Sequence, residues 1–526
     1  MRDNVFKYIF IAVCIGLVFY AVYLLNVKED NQQNISPTED IQEETSQDLK
    51  LGISNFDTIN PIVTANREVQ KLNKLIFEPL VEVDENYELK MCLATEVSKT
   101  GNNIYLIKLD TNAKWHDGQS VCAKDVQFTI DKLKERNSLY SYNVKDITQV
   151  EVVDSSMVKL YLSTDVPFFE YNLTFPILSN FYYLNEDFFT SQKIPVGTGK
   201  YKIKEIQSSY IQLEKNENWR KIKEFNSKIN NIRINIFSEM GEVYNSFKIG
   251  NIDFINTKNL NVEEYIGSIG YNKKEYKGRE FDYLSFNCAN GVLKNIEVRK
   301  AIGFAIDKAN IVSEVFNNKY YVSEFPLDYG SFLYNKDNAS SGYNIEQSKK
   351  ILIDAGWELK NNVWQKKVDN KWIKTKFDLV INSNNEYKSK VAQIIKQQLG
   401  QIGISINIVA VSQDRYNDYL LNKNYEIILT GVYNSYSPDI EKFFKVGNIS
   451  NYSNDEINSI LDEVRNISDN GSLKSKYSKI EEIYNKELPF VSLYRNKKII
   501  ITNKNLFGDI RVNNYDYFYN ITNWKR

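Results

Sequence analysis

Residues 377–410 read FDLVINSNNEYKSKVAQIIKQQLGQIGISINIVA, and the spacing of their apolar side chains indicates the class of fold. Phe377–Ile381 is a short apolar block, which predicts a buried strand. The apolar residues of Val391–Leu399 share one helical face, and the predicted helix stops at Gly400. Ile404–Ala410 then alternates as a second strand does. A strand, a helix and a strand joined by a short return loop form a right-handed crossover, so we expect an α/β fold with a parallel sheet.

The segments on either side extend this prediction. Tyr425–Thr430 predicts the next strand of the sheet, and the apolar residues of Val298–Phe316 predict one amphipathic helix of about five turns. Nearer the front, Asn103–Asp110 alternates like a strand, and Asp125 stands where the N-cap of a helix is expected. A hairpin follows, with its turn at Asp154–Ser155. This early part of the chain is therefore predicted to be α+β.

Length and composition exclude several classes of function. A chain of 526 residues suggests two to four domains, and 42% hydrophobic with 25% charged residues is ordinary for a globular protein. Lys and Arg number 66 against 67 Asp and Glu, so the chain lacks the surplus of cations typical of nucleic-acid binders. His116 is the single histidine, which excludes multi-histidine metal sites and leaves any histidine-dependent catalysis one candidate. We expect no metal and no cofactor.

The N-terminal segment predicts membrane attachment. Tyr8–Leu25 is a run of 18 apolar residues, near the shortest length that spans a bilayer. Arg2 and Lys7 precede it and acidic residues follow, so we expect residues 1–27 to form a cytoplasmic tip and a transmembrane anchor, with the body outside the cell. A cleaved signal peptide and a lipoprotein anchored at Cys14 remain alternatives. Residues 28–50 are acidic and polar, which predicts a flexible tether.

Several short motifs occur in a characteristic order along the body. They are Phe77–Val81 with Leu93–Ala94, KWHDG at 114–118 with AKDVQF at 123–128, PVGTGKY at 195–201, Phe286–Asn287, VRKAI at 298–302 with AID at 305–307, AGW at 355–357 and IGI at 402–404. In their order and spacing the chain resembles family 5 of the extracellular solute-binding proteins, the peptide- and oligopeptide-binding subunits of ABC importers.

The resemblance implies a fold and a division into domains. The fold is a two-lobed clamshell of the type II periplasmic-binding-protein kind, in its large peptide-binding cluster, with an added α+β domain and the N-terminal transmembrane helix in front. On this sequence, lobe I comprises residues 51–80, 176–285 and 490–526, the inserted domain residues 81–175, and lobe II residues 286–489. The resemblance also implies a monomer.

The resemblance also places the ligand site. Segments that reach the cleft in the family match the stretch after the first strand and a loop after a lobe II strand. An Asp that pairs with the ligand's amino group in peptide-binding members is matched by Asn434, and a carboxylate-binding Arg is matched by Asn382. Because an amide cannot neutralise a buried charge, the charge clamp for a dipeptide is expected to be absent, unless a shifted loop lets Asp439 substitute. The candidate ligand-binding residues are Asn55, Phe56, Asp57, Asn382, Gly431, Tyr433, Asn434, Tyr436 and Asp439.

The implied function is capture of peptides, or a related extended solute, by lobe closure and delivery to ABC permease subunits. The body would be held on the extracellular face of a single-pass anchor, in a Gram-positive type of bacterium. A peptide-sensing receptor or adaptor with the same fold is the alternative. An enzyme is not expected, because His116 lies in a Trp-His-Asp-Gly turn without a nucleophile motif. Gly197–Lys200 is a turn rather than a phosphate loop, because Ile194 and Tyr201 break the required pattern.

Overall fold

The computed structural model describes residues 48–526, except 192, 260, 268–269, 328–329 and 339–341. The predicted anchor and nearly all of the tether lie outside the described residues. The first strand begins at Asp48, inside the range predicted for the tether. Across the residues that the structure describes, we find no helix with the length and apolarity needed to cross a membrane. The predicted division into lobe I, inserted domain and lobe II stays a prediction.

The strands are, in chain order, β1 (Asp48–Ser54), β2 (Val81–Val83), β3 (Leu89–Met91), β4 (Ala94–Gly101), β5 (Ile104–Leu109), β6 (Ile147–Val152), β7 (Met157–Leu162), β8 (Tyr201–Ile206), β9 (Tyr210–Lys215), β10 (Asn231–Phe237), β11 (Phe254–Thr257), β12 (Tyr271–Phe286), β13 (Tyr320–Val322), β14 (Glu358–Lys360), β15 (Val363–Val368), β16 (Lys371–Lys374), β17 (Lys376–Asn382), β18 (Ser405–Val411), β19 (Ile427–Tyr433), β20 (Phe490–Asn503), β21 (Phe507–Gly508) and β22 (Trp524–Lys525).

The α-helices are α1 (Arg67–Leu72), α2 (Ala123–Glu135), α3 (Ser141–Val144), α4 (Met240–Lys248), α5 (Glu263–Ile266), α6 (Ile296–Ala305), α7 (Lys308–Phe316), α8 (Ile345–Asp354), α9 (Glu386–Gln401), α10 (Gln413–Asn422), α11 (Glu441–Phe444), α12 (Asp455–Glu463) and α13 (Asn470–Glu487). Short 3-10 helices cover Asn73–Leu75, Phe169–Leu173, Ile222–Glu224, Lys336–Asn338, Val464–Asn466 and Ile521–Asn523.

One large mixed sheet runs through the described body, in the order β18-β17-β19-β12-β20-β11-β1-β10-β9-β8, with β13 beside β20. At one end, β17 pairs in parallel with β18 and β19, which confirms the predicted crossover and the predicted next strand. At the other end, β1 pairs in parallel with β10. The long antiparallel pair of β12 and β20 joins the two ends. A separate antiparallel sheet, β4-β5-β7-β6, contains the predicted early strand and hairpin.

Apolar side chains form two large cores on either side of the β12–β20 pair. The first core, around Leu51, Ile232 and Ile107, spans the β1 end of the large sheet and the four-stranded sheet. The second core is built around Leu379 and Ile395, and an aromatic cluster around Phe444 adjoins it. Consecutive buried residues occur in β17 (Leu379–Ile381) and β19 (Ile427–Thr430), as in strands covered on both faces, whereas β1 and β5 alternate buried and less buried residues.

Two predicted helix boundaries are wrong. The predicted single helix of Val298–Phe316 is two helices, because the Asp307 carboxylate accepts a hydrogen bond from the Asn310 amide and caps the second one. The helix predicted to stop at Gly400 continues to Gln401, and the chain turns at Gly403, whose φ is 84°.

The helix cap predicted at Asp125 is also misplaced. The helix begins at Ala123 after Cys122, and Asp125 lies in its first turn. The Asp125 carboxylate accepts hydrogen bonds from the backbone amides of Cys122 and Asn180, at 2.8 and 2.7 Å, and from the Trp115 indole at 3.3 Å. This side chain therefore ties the KWHDG turn to the helix that follows it.

The PVGTGKY and KWHDG motifs meet and hold each other in place. The Gly197 amide donates to His116 Nδ1 at 3.3 Å, and His116 Nε2 lies 3.2 Å from the Gly199 carbonyl oxygen. Burial lowers the pKa of His116 to about 4, so the imidazole is neutral at physiological pH. Both ring nitrogens are engaged by backbone groups, which is the arrangement of a structural histidine.

Candidate functional site

A cavity with a volume of about 830 Å³ is lined by residues of both cores. The ends of β1 and β11 and the start of α4 form one side, and the end of α7, the start of β13 and the start of α9 form the other. The β12–β20 pair contributes Glu280 and Asn496–Lys498 between them. Both halves of the chain therefore contribute side chains to one enclosed space.

The two sides of the cavity are largely apolar. Met240, Val243 and Tyr244 line the side next to the first core. On the opposite side the Phe316 and Tyr320 rings stack with their centroids 4.0 Å apart. The Tyr387 ring lies 5.6 Å from that of Phe316 and extends this wall. Aromatic walls of this kind suit side chains of varied shape, because stacking and apolar contact depend little on sequence.

Lys71, in α1, lines the cavity and is held by acceptors that lie outside the lining. Its Nζ donates hydrogen bonds to the carbonyl oxygens of Asn514 and Tyr515, at 2.5 and 2.9 Å, and to Tyr436 Oη at 3.0 Å. Burial is the main cause that lowers the pKa of Lys71 to about 7; Arg279 and Lys498 also lower it, whereas Tyr433 and Asp516 oppose the shift.

A second lysine and a glutamate complete this charged side. Lys498 Nζ donates to Tyr517 Oη at 3.0 Å, and the Tyr517 ring lies 5.5 Å from both Lys71 Nζ and Lys498 Nζ. Glu68 faces the same space, where solvent reaches it but protein surrounds it on most sides. This enclosure raises the pKa of Glu68, and the neighbouring Lys498 and Lys71 partly offset the rise.

The predicted loop after β19 lies beside this charged side. The Arg279 guanidinium lies 3.6 Å from the centroid of the Tyr436 ring and 4.6 Å from that of Tyr433. Arg279 also donates to the Asn434 carbonyl oxygen, and the Asn434 amide donates back to the Arg279 carbonyl oxygen at 3.0 Å. The Asn434 side chain donates to the Pro326 carbonyl oxygen at 2.8 Å. Asn434 thus fixes the loop, and its side-chain amide is already occupied.

Asp439 lies at the end of the same loop but does not line the large cavity. Its Oδ1 accepts a hydrogen bond from the Glu441 amide at 2.8 Å, at the start of α11. Burial raises its pKa, with the hydrogen bond from Glu441 and the charges of Lys442 and Arg465 opposing the rise. It lines a separate space of only about 30 Å³ together with Arg279 and Asn434. That volume holds about one water molecule, so this space does not hold a peptide.

The stretch after β1 leads away from the large cavity. Ser54 lines the cavity, but Asn55, Phe56 and Asp57 do not. The Asp57 carboxylate accepts hydrogen bonds from Thr64 Oγ1 and from the Thr58 and Ala65 amides, at 2.6 to 2.7 Å. Partial burial acts to raise the pKa of Asp57, but these hydrogen bonds outweigh it and the pKa is lowered. Asp57 therefore organises the turn that leads into α1.

Asn382 and Gly431 have local contacts instead of cavity contacts. Asn382, at the end of β17, donates from its side-chain amide to Gln413 Oε1 at 2.5 Å. Gly431 lies opposite Asp282 across β12 and β19, and a Cβ at Gly431 would lie 2.4 Å from Asp282 Oδ1. Asp282 in turn pairs with Lys388 at 3.0 Å. Glycine is needed here because the two strands approach closely.

Of the nine predicted site residues, the structure brings Tyr433, Asn434, Tyr436 and Asp439 together around Arg279, and it places the other five elsewhere. Sequence reasoning missed Lys71, Lys498 and the aromatic wall around Phe316. No motif marks them, because they come from separate segments spread between residues 71 and 498 of the chain.

Similarity to known proteins identifies the family of the chain. Residues 88–453 match the family described as bacterial extracellular solute-binding proteins, family 5 Middle. The oligopeptide-binding protein AppA of Bacillus subtilis is 25% identical over 513 residues, which is 91% of each chain.

Two solved structures show the fold. HbpA2 from Haemophilus parasuis superimposes with a TM-score of 0.77 at 20% identity, over 90% of this chain and 99% of that chain. NikZ from Campylobacter jejuni, solved in complex with Ni(L-His), does so with a TM-score of 0.61 at 24% identity, over 91% and 100%. Structural neighbours of this chain are type II periplasmic binding proteins with mixed α/β sheets, which confirms that part of the predicted fold class.

Proposed function

The chain belongs to family 5 of the bacterial extracellular solute-binding proteins, and we propose that it captures peptides outside the cell for an ABC importer. The cavity of about 830 Å³ between the two cores is the observation that carries this proposal. Its volume lies in the range of small-ligand sites, which suits a short peptide better than a long one. The similarity to an oligopeptide-binding protein supports peptides over other solutes.

The lining of the cavity supports an extended ligand of variable side chains. The aromatic wall of Phe316, Tyr320 and Tyr387 offers stacking surfaces that accept many side chains. Polar groups at the end of β11, among them Thr257 and Asn259, line the opposite side and can bind a peptide main chain. Binding through the main chain gives affinity without selecting one sequence, which suits a subunit that imports peptides.

Closure of the two halves would couple binding to transport. The long strands β12 and β20 run past both cores and would act as the hinge between two lobes. A ligand that touches both walls binds the closed form more tightly, so it shifts the population toward closure. The permease would then recognise the closed form and receive the peptide from it.

We also propose the location of the protein and the predicted division of its domains. The segment of Tyr8–Leu25 would anchor a monomer in the cell membrane, with residues 28–47 as its tether and the body on the extracellular face. A tether of this composition keeps the body close to the permease while letting it rotate.

Ligand binding can be tested with the full-length chain in detergent. We expect native mass spectrometry to detect short peptides that co-purify with it, and libraries of three- to five-residue peptides to raise its melting temperature. Tyr320→Ala, in the aromatic wall, should weaken binding at least tenfold, whereas Tyr142→Ala, 68% exposed and outside the cavity, should leave it unchanged. The proposal fails if no peptide co-purifies and no library raises the melting temperature.

A sensor that does not feed a transporter would also bind peptides, so uptake separates the two functions. Deleting the permease should abolish uptake of the bound peptides by cells that carry this protein. Uptake that depends on neither the permease nor this protein would favour the receptor or adaptor.

A further inference from the structure

We propose that the peptides held in this cavity carry acidic side chains, a conclusion that rests on the peptide-binding role proposed above. Six lysines but only two glutamates line the cavity among the described residues. The lysines are Lys71, Lys258, Lys319, Lys390, Lys497 and Lys498, and the glutamates are Glu68 and Glu280. The formal charge of the lining is therefore positive, although the chain as a whole carries a formal charge of −1.

Three of these lysines already have a side-chain partner: two form ion pairs with glutamates, and the third donates a hydrogen bond to an amide oxygen. Lys390 pairs with Glu386 at 3.1 Å. Lys497 pairs with Glu275 at 3.1 Å. Lys319 donates to Asn261 Oδ1 at 2.6 Å. Lys71, Lys258 and Lys498 form no ion pair with a carboxylate of the described residues, and the same lining holds only Glu68 and Glu280 as negative groups.

Lys498 is the cation that a ligand would meet at the β12–β20 side of the cavity, and Lys71 adds positive charge near it although its three N–H donors are already used. All the hydrogen-bond acceptors of Lys71 are neutral: two carbonyl oxygens and the Tyr436 hydroxyl. The acceptor of Lys498 is the Tyr517 hydroxyl. Within the described part of the chain, no carboxylate lies within ion-pairing distance of either ammonium group. A partly buried ammonium group is stabilised when a carboxylate reaches it.

Further positive charge lies directly behind Lys71. The Arg279 guanidinium packs on the same Tyr436 ring that Lys71 contacts, at 3.6 Å from the ring centroid, and its side chain makes no ion pair with a described residue. Lys74 lies 3.1 Å from the centroid of the Tyr515 ring, next to the carbonyl that Lys71 binds. Asp516 and Glu68 offset only part of this charge.

The surplus of positive charge in the lining selects peptides by their side chains rather than by their main chain. A peptide main chain with free termini carries one charge of each sign, so its amino group can approach Glu68 or Glu280 while its carboxylate approaches one lysine. Two lysines and one glutamate then remain, so one ammonium group has no carboxylate partner in a neutral peptide. An Asp or Glu side chain supplies one, whereas a Lys or Arg side chain adds repulsion, so charge complementarity favours acidic peptides.

Two matched peptide libraries test this inference with the full-length chain. Both contain three- to five-residue peptides, and they differ only in that every Glu of the first is Gln in the second. We expect the Glu library to be retained preferentially, and calorimetry to show that the best Glu peptide binds at least tenfold more tightly than its Gln twin.

Variants of the lining then locate the charge effect. Lys498→Met should reduce the preference for Glu to less than threefold, and Lys498→Arg should restore it. Lys350→Met is the matched control, because that lysine lies outside the cavity and pairs with Asp354 at 2.8 Å, and it should keep the full preference. Thermal melting of each variant confirms that it is folded.

Equal binding of the two libraries would overturn this inference and leave the proposed function standing. A preference that persists unchanged in folded Lys498→Met and Lys71→Met would also overturn it. Tighter binding of citrate than of any Glu peptide would overturn it too, because the cations would then serve a small carboxylate. Failure of both libraries to bind would overturn the proposed function as well.

Discussion

Substituting Gly197 by alanine should destabilise the body without changing the cavity. A Cβ at Gly197 would lie 1.9 Å from the carbonyl oxygen of Ile76 and 2.7 Å from its carbonyl carbon. Backbone must therefore move by about 1 Å, and overpacking of this kind costs about 1–3 kcal/mol. The same carbonyl accepts the Gly199 amide at 2.8 Å, and losing that hydrogen bond adds about 1 kcal/mol. The expected loss in the free energy of unfolding is about 2–4 kcal/mol.

Urea unfolding followed by tryptophan fluorescence measures this loss. Gly291→Ala is the control, because nothing lies within 4 Å of a Cβ at that position, and it should change stability by less than about 0.5 kcal/mol. Peptide affinity should be unchanged in folded Gly197→Ala, because Gly197 does not line the large cavity. A loss smaller than about 0.5 kcal/mol would refute the view that the PVGTGKY turn is conformationally constrained by packing on Ile76.

Three further predictions follow from buried or partly buried groups. Arg220→Met should lower the free energy of unfolding in urea by about 3–5 kcal/mol, because it leaves the buried Glu78 carboxylate, 2.5 Å from the guanidinium, without its ion pair. Lys350→Met, which breaks an exposed ion pair, should lower it by less than about 0.5 kcal/mol. His116→Ala should leave peptide affinity unchanged, and neither this variant nor the natural protein should cleave bound peptides in a mass-spectrometric assay. Cleavage that requires His116 would contradict the role of a binding protein. Folding lowers the pKa of Lys71 to about 7, so above pH 7 the unfolded chain binds a proton that the folded chain has lost. The free energy of unfolding of the natural protein, relative to that of Lys71→Met, should therefore rise between pH 7 and 9.5. A difference that does not change with pH would contradict this.

Much of the fold follows from local patterns in the sequence. The strands and helix of residues 377–410 are visible because each has one buried face or is buried on both faces, so apolar spacing alone identifies them. The break between α6 and α7 is different. The same apolar spacing continues through Ile306, and only the capping geometry of Asp307 shows that the helix ends there. A single carboxylate overrides a periodic pattern at that point.

The candidate site is harder to predict because it depends on contacts between distant segments. The loop with Tyr433 and Tyr436 was found from its resemblance to the family, and the structure packs both rings against Arg279. No spacing rule connects Lys71 in α1 with Lys498 in β20, although both line one cavity. The sequence shows an amide side chain at Asn434, but only the structure shows that this amide donates to the Pro326 carbonyl oxygen.

The central claim is that the two halves close around a peptide. A distance measurement between two spin labels by double electron–electron resonance tests it most directly. Spin labels would be placed at Lys248→Cys in α4 and Lys396→Cys in α9, both exposed and on opposite sides of the cavity, with the four native cysteines replaced by serine. We expect saturating peptide to shift the distribution to a shorter and narrower distance. Bound peptide with an unchanged distance distribution would contradict capture by closure.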